Sequence, residues 1–119
     1  MSAAFWDTRL LDPALAAPDA FDADGFLRDP SRWTPALGDE IGRCLGLVLT
    51  PAHHAVLLAC RDFLARYQRM PTTRVFVRHL VQTPDLGIRD SSDLMQLFPD
   101  TPMRLVALCA GLPKPPNCF

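Results

Sequence analysis

Twelve prolines are distributed through 119 residues, and their positions decide where helices can begin and where none can continue. Proline fixes φ and lacks a backbone donor, so it suits the first turn of a helix and breaks its interior. Thr34-Pro35 and Thr50-Pro51 therefore read as N-caps followed by proline at the first helical position. Met70-Pro71 ends the second of these helices, and Thr72 or Thr73 caps the next. Pro99 closes a later helix and Pro102 opens the last one. Beyond Gly111, placed as a helix C-terminal cap, Pro113, Pro115 and Pro116 forbid both a helix and an inner strand. Residues 111–119, Gly-Leu-Pro-Lys-Pro-Pro-Asn-Cys-Phe, should thus leave the body as an extended, polyproline-like, mobile arm with the Cys118 thiol near its tip.

Between these breaks the apolar residues recur at helical spacing. Leu37, Ile41, Cys44 and Leu45 predict a short amphipathic helix up to Gly46. The longest helix places Val56, Leu57, Cys60, Phe63, Leu64 and Tyr67 on one broad face, with Arg61, Asp62, Arg66 and Gln68 largely outside it. Val75, Phe76, His79 and Leu80 continue the burial to about Val81. Residues 82–87 form a loop, and Ser91 or Ser92 caps a brief helix ending at Leu97-Phe98-Pro99. The last helix runs from Pro102 to Gly111 with Met103, Val106, Ala107 and Ala110 on one side. Upstream, Phe5, Trp6, Leu10, Leu11 and Leu15 show no sustained period, so residues 1–20 are expected to be irregular. Asp24-Gly25 marks a turn after Phe21, and Asp29-Pro30 is a helix-start signal. The expected fold is a single, mainly α domain over residues 1–119, a compact orthogonal bundle of about five helices.

Composition narrows the function classes. With 49% hydrophobic residues, 21% charged residues and a net charge of −1, nothing pushes the chain globally towards nucleic acid. No stretch approaches the ~20 apolar residues of a membrane span, and residues 1–7 carry no basic signal region, so a cytoplasmic protein is expected. Four cysteines without a Cys-x-x-Cys pair make a zinc site or a disulfide framework a poor reading. Cys44 and Cys60 sit among aliphatic residues and read as small core hydrophobes. His53-His54 is a weak metal or hydrolase signal, because neighbouring helical side chains diverge by about 100°. The helices flanking Arg69-Met70-Pro71-Thr72-Thr73 outline a helix-turn-helix, with Arg74, Arg78 and His79 where a DNA-reading helix would carry its contacts. A DNA-binding regulator is therefore the main rival from another class.

Gly111-Leu112-Pro113-Lys114-Pro115 with the nearby Cys118 resembles the C-terminal arm of the TusE/DsrC family of sulfur carriers. Asp22, Gly25, Phe26, Leu27, Asp29, Pro30 and Trp33 match that family's Asp-x-x-Gly-Phe/Tyr-Leu-x-Asp-Pro-x-x-Trp segment. Gly46, Leu49-Thr50, His53, Arg61-Asp62-Phe63, Tyr67, Pro71, Arg74, Leu97-Phe98-Pro99 and Pro102 follow in the family's order, so the resemblance covers residues 21–119. The sequence departs from the pattern at His54, where a Trp is common, and at Thr101-Pro102-Met103-Arg104, where a Gly-Pro-Ala-Lys run usually opens the last helix. Members often carry an N-terminal β-hairpin, but the Pro- and Ala-rich residues 12–20 make poor strands, so only a degenerate hairpin is expected.

The resemblance implies that Cys118 accepts sulfane sulfur as a persulfide and delivers it to a partner enzyme, without cofactor or metal. Members that work with dissimilatory sulfite reductase carry a second cysteine eleven residues upstream, a position that here is Ala107. Cys109 lies two residues further, about 200° around a helix, and reads as a core or groove residue, with a shifted second thiol as the alternative. A single thiol looks like the TusE branch, which relays sulfur towards the 2-thiouridine of tRNA. The partners implied are a sulfur-donating sulfurtransferase complex and an acceptor, either a tRNA 2-thiouridylase or a sulfite reductase, with nucleic acid met only indirectly or weakly. Lys114, Arg74 and Arg104 are candidates for steadying thiolate or persulfide charge.

Overall fold

A computed structural model describes residues 6–116, so Phe5 and Cys118 lie outside the described residues. Five α-helices follow one another: α1 Pro35–Cys44, α2 Pro51–Tyr67, α3 Thr73–Val81, α4 Ser91–Leu97 and α5 Pro102–Cys109. The prolines act as read from the sequence. α1, α2 and α5 each begin at one, and Thr34 and Thr72 cap their helices by accepting from the Leu37 and Val75 amides. The cap of α4 is Asp90 rather than Ser91 or Ser92; its carboxylate accepts from the Asp93 N–H. A carboxylate at this position also meets the positive end of the helix, which a serine hydroxyl does less strongly.

The order of burial differs from the expected amphipathic pattern at several places: Tyr67 and Val75, expected on buried faces, are exposed because no described element covers the α2–α3 corner, and α5 departs furthest. α5 was read with one apolar side, yet Met103, Leu105, Val106, Ala107, Leu108 and Cys109 are all buried. α5 packs against α1, α2 and α4, so neighbours cover it around its circumference and an apolar stripe is not what its sequence encodes. Among the described residues upstream of α1 there is no α-helix or extended strand. Phe21 and Leu27 form a single antiparallel bridge, which is all that stands for the family's hairpin among the described residues. Short 3₁₀ turns at Thr8–Leu10, Pro18–Ala20 and Pro30–Arg32 carry the rest. This irregular segment still packs. Trp6, Leu11, Phe21, Phe26 and Leu27 join the core, and Trp6 Nε1 donates to the Gly25 carbonyl at 2.9 Å.

Candidate functional site

The site is built from the root of the arm outwards. α5 ends in a Schellman motif: the Leu112 N–H donates to the Ala107 carbonyl at 2.9 Å and the Gly111 N–H to the Leu108 carbonyl at 3.3 Å. Gly111 holds φ at 67°, a left-handed conformation that disfavours any side chain. A Cβ there would also stand 2.5 Å from the Trp33 ring. The turn therefore needs glycine twice over, for its backbone and for the indole packed on it. It folds the chain back so that Leu112 is 1% exposed.

Trp33 is the hub of this root. Its Nε1 donates to the Cys109 carbonyl at 2.8 Å, satisfying one of the acceptors that a helix end leaves open. The Arg61 guanidinium lies over the same ring, 4.7 Å from its centroid. Arg61 donates through Nη1 to the Ala110 carbonyl at 2.7 Å and through Nη2 to the Pro30 carbonyl at 2.9 Å. One planar fork thus ties α2 to the last turn of α5 and to the 3₁₀ turn before Trp33. Arg61 was expected largely outside the apolar face of α2. It is instead half-buried against Trp33, and burial pulls its pKa down from the usual value. Periodicity sorts residues by hydropathy and misses a charged side chain that is buried by its hydrogen bonds. The legible signal was Trp33 and Arg61 together, both inside the matched motifs.

Beyond Leu112 the arm crosses the surface in two steps. Lys114 Nζ lies 3.6 Å from an Asp24 carboxylate oxygen, on the turn that Asp22 builds by accepting from the Asp24 and Phe26 amides. Pro115 is buried, and Pro116 lines an open cleft of about 550 Å³ between α2 and α3. Of the candidate supporting cations, Lys114 is thus paired on the arm, Arg74 is exposed on α3, and Arg104 is half-buried on α5.

The described thiols differ in kind. Cys60 and Cys109 are fully buried, and desolvation pushes both up to about 12, far from the thiolate needed for sulfur transfer. Cys44 is half-buried at the edge of the core, and burial raises it too. Neither histidine of the His53-His54 pair offers a free ring pair. His53 Nδ1 accepts from the Thr50 N–H at 3.0 Å, and Nε2 meets the Leu97 carbonyl at 2.9 Å, so the ring joins the start of α2 to the end of α4. His54 Nε2 lies 2.6 Å from Asp39 Oδ1. Among the described residues no group of three His, Cys, Asp or Glu side chains is placed to hold a metal ion.

A family model described as DsrC like protein matches residues 18–119, which takes in the Asp22–Phe26 turn, the Trp33–Arg61 hub and the arm. The chain belongs to the DsrC-like family. Sulfurtransferase TusE of Sodalis glossinidius is 36% identical to this DsrC-like chain over 98 residues, covering 82% of the chain and 91% of the relative. Sulfurtransferase TusE of Escherichia coli K12 is 32% identical over 98 residues, covering 82% and 90%. The NMR structure of Allochromatium vinosum DsrC superposes with a TM-score of 0.74 at 29% identity, covering 83% of this chain and 88% of that one. The crystal structure of the oxidized gamma-subunit of the dissimilatory sulfite reductase (DsrC) from Archaeoglobus fulgidus gives 0.65 at 30% identity, covering 83% and 90%. A DNA-binding role finds no support in these comparisons. No helix of the DsrC-like chain, among the described residues, is long and apolar enough to cross a membrane.

Proposed function

We propose that this protein is a single-thiol sulfur carrier, with Cys118 as the residue that holds the persulfide. Its relatives named sulfurtransferase TusE support a place in a sulfur relay, passing sulfur between partner proteins. The observation that carries the reading is the burial of the core thiols beside a firmly rooted arm. Cys60 and Cys109 are locked in the core, whereas the arm that bears Cys118 is rooted by Gly111, Trp33 and Arg61 and directed across the surface.

The chemistry is a transfer of sulfane sulfur. The Cys118 thiolate attacks the outer sulfur of a donor persulfide, forming a new S–S bond as the donor's S–S bond breaks and its thiolate departs. No electrons are gained or lost overall, and a second thiolate on the acceptor repeats the exchange. Such exchange needs an accessible thiolate and no general base held beside it. Lys114 and Arg74, both on the exposed side of the arm and α3, would steady the anionic persulfide as it is presented; Arg104 would act from the α5 side.

Ala107 stands where two-thiol members have their second cysteine, and it is fully buried with its carbonyl engaged by Leu112. This favours one thiol and an acceptor of the tRNA 2-thiouridylase kind. The solved DsrC relatives favour a dissimilatory sulfite reductase as the second reading of the acceptor. Intact-mass measurement after incubation with inorganic polysulfide tests the carrier. One added sulfur that dithiothreitol removes is expected in the wild type and in Cys109→Ser, and none in Cys118→Ser. Sulfur retained by Cys118→Ser would overturn the assignment.

A further inference from the structure

The cleft between α2 and α3, at which the described arm ends, has no part in the transfer chemistry itself. Phe63, Tyr67, Met70 and Val75 supply its apolar lining, and Arg69 and Arg78 add charge. Tyr67 and Val75 are 50% and 41% exposed, large apolar groups that folding leaves uncovered.

The charges here are unlike those elsewhere. Arg9, Arg32, Arg43, Arg66, Arg89 and Lys114 each face a carboxylate. Arg28 and Arg61 donate to backbone carbonyls. Among the described residues Arg69, Arg74 and Arg78 enter no ion pair, and all three lie at the α2–α3 corner. Arg74 and Arg78 are four apart on α3, a like-charge spacing that weakens a helix slightly. Folding gains nothing from that arrangement.

We propose that the α2–α3 cleft is the docking surface for an acidic, apolar segment of a protein partner in the sulfur relay. The inference rests on the carrier reading, because what gives the cleft its use is its distance from the thiol. Pro116 lines it, and two residues of chain from Pro116 to Cys118 reach no further than roughly 7 Å. A partner segment held there by its apolar side chains, with its carboxylates on Arg69 and Arg78, brings the partner's own thiol within range of Cys118. The occupant is a protein segment rather than a nucleic acid because the arginines flank a concave apolar cleft. Phosphates would pair with the arginines but leave Tyr67 and Val75 uncovered, and a net charge of −1 gives no long-range attraction for a polyanion.

The test uses the full chain, ¹⁵N-labelled, with a fluorescein-labelled synthetic peptide that alternates Glu with Leu and Phe. Saturable binding is expected, with amide shifts centred on Arg69, Val75, Arg78 and His79. Affinity should fall about tenfold or more in Arg69→Glu/Arg78→Glu, and again in the milder Arg69→Ala/Arg78→Ala. A counterpart peptide with Lys in place of Glu should not bind. Absence of saturable binding, equal binding of the Lys peptide, shifts on another face, or a duplex oligonucleotide that binds the same cleft more tightly each overturns the proposal. Wild-type protein from the same preparation is loaded with inorganic polysulfide. Failure to load would sink the carrier reading, whereas loading without peptide binding sinks only the docking surface.

Discussion

At the scale of single residues, the proposed carrier asks for one reactive thiol, and burial quiets the three described ones. Desolvation raises Cys60 and Cys109 to about 12, and Cys44 is raised as well. At neutral pH a disulfide reagent should therefore react quickly with one thiol of the native protein, and that reaction should vanish in Cys118→Ser. The same burial sets a stability trend at alkaline pH. Cys60 and Cys109 have folded pKa values above the ordinary 9.0, so their stabilising contribution is complete below pH 9.0 and drains as pH rises towards 12. Urea midpoints should be level from neutral pH to pH 9.0 and fall above it, less steeply in Cys60→Ala/Cys109→Ala. Gly111 presents a second residue-scale demand. Gly111→Ala must adopt φ near 67° and displace the Trp33 ring, so a loss of about 2–4 kcal/mol is expected in urea denaturation.

At the scale of elements, Arg61 and Trp33 join α2, α5 and the turn at Pro30–Arg32. Arg61→Lys keeps the charge but cannot reach the Ala110 and Pro30 carbonyls together, and a loss of about 2 kcal/mol is expected. Trp33→Phe keeps a ring over Gly111 but leaves the Cys109 carbonyl without its donor, a loss of about 1–3 kcal/mol. Both should speed hydrogen exchange at the Gly111 and Leu112 amides more than at the centre of α2. Against these couplings, the legibility of the sequence divides cleanly. Thr34-Pro35, Thr50-Pro51 and Gly111 announced their elements because caps and prolines act within a few residues. The Asp90 cap, the all-round burial of α5 and the inward turn of Arg61 depend on which elements become neighbours, and no local period records that. The arm as a feature could be read from Pro113, Pro115 and Pro116, whereas its fastening to Asp24 and its course to the α2–α3 cleft could not.

At the scale of the whole molecule, the radius of gyration of 13.4 Å is that of a compact body of about this length, and the arm is divided between body and surface. Leu112 belongs to the core, 1% exposed, and Leu112→Ala should cost about 2–5 kcal/mol, seen as a lower urea midpoint. Lys114 and Asp24 form a pair 3.6 Å apart with side chains 51% and 38% exposed, which solvent and salt weaken. Lys114→Ala should therefore leave the urea midpoint within about 0.5 kcal/mol of the wild type. Its effect should appear instead in the arm, as faster protease cleavage near Pro113–Pro116 at low salt. Raising the salt should erase the difference between Lys114→Ala and wild type, because screening loosens the native pair as the substitution does. A midpoint shift as large as that of Leu112→Ala would show that the arm folds as one unit with the body. The opposite pattern, stability held at Leu112 and mobility set at Lys114, is what a carrier needs: a fixed root and a segment beyond it that a partner can lift at little energetic cost.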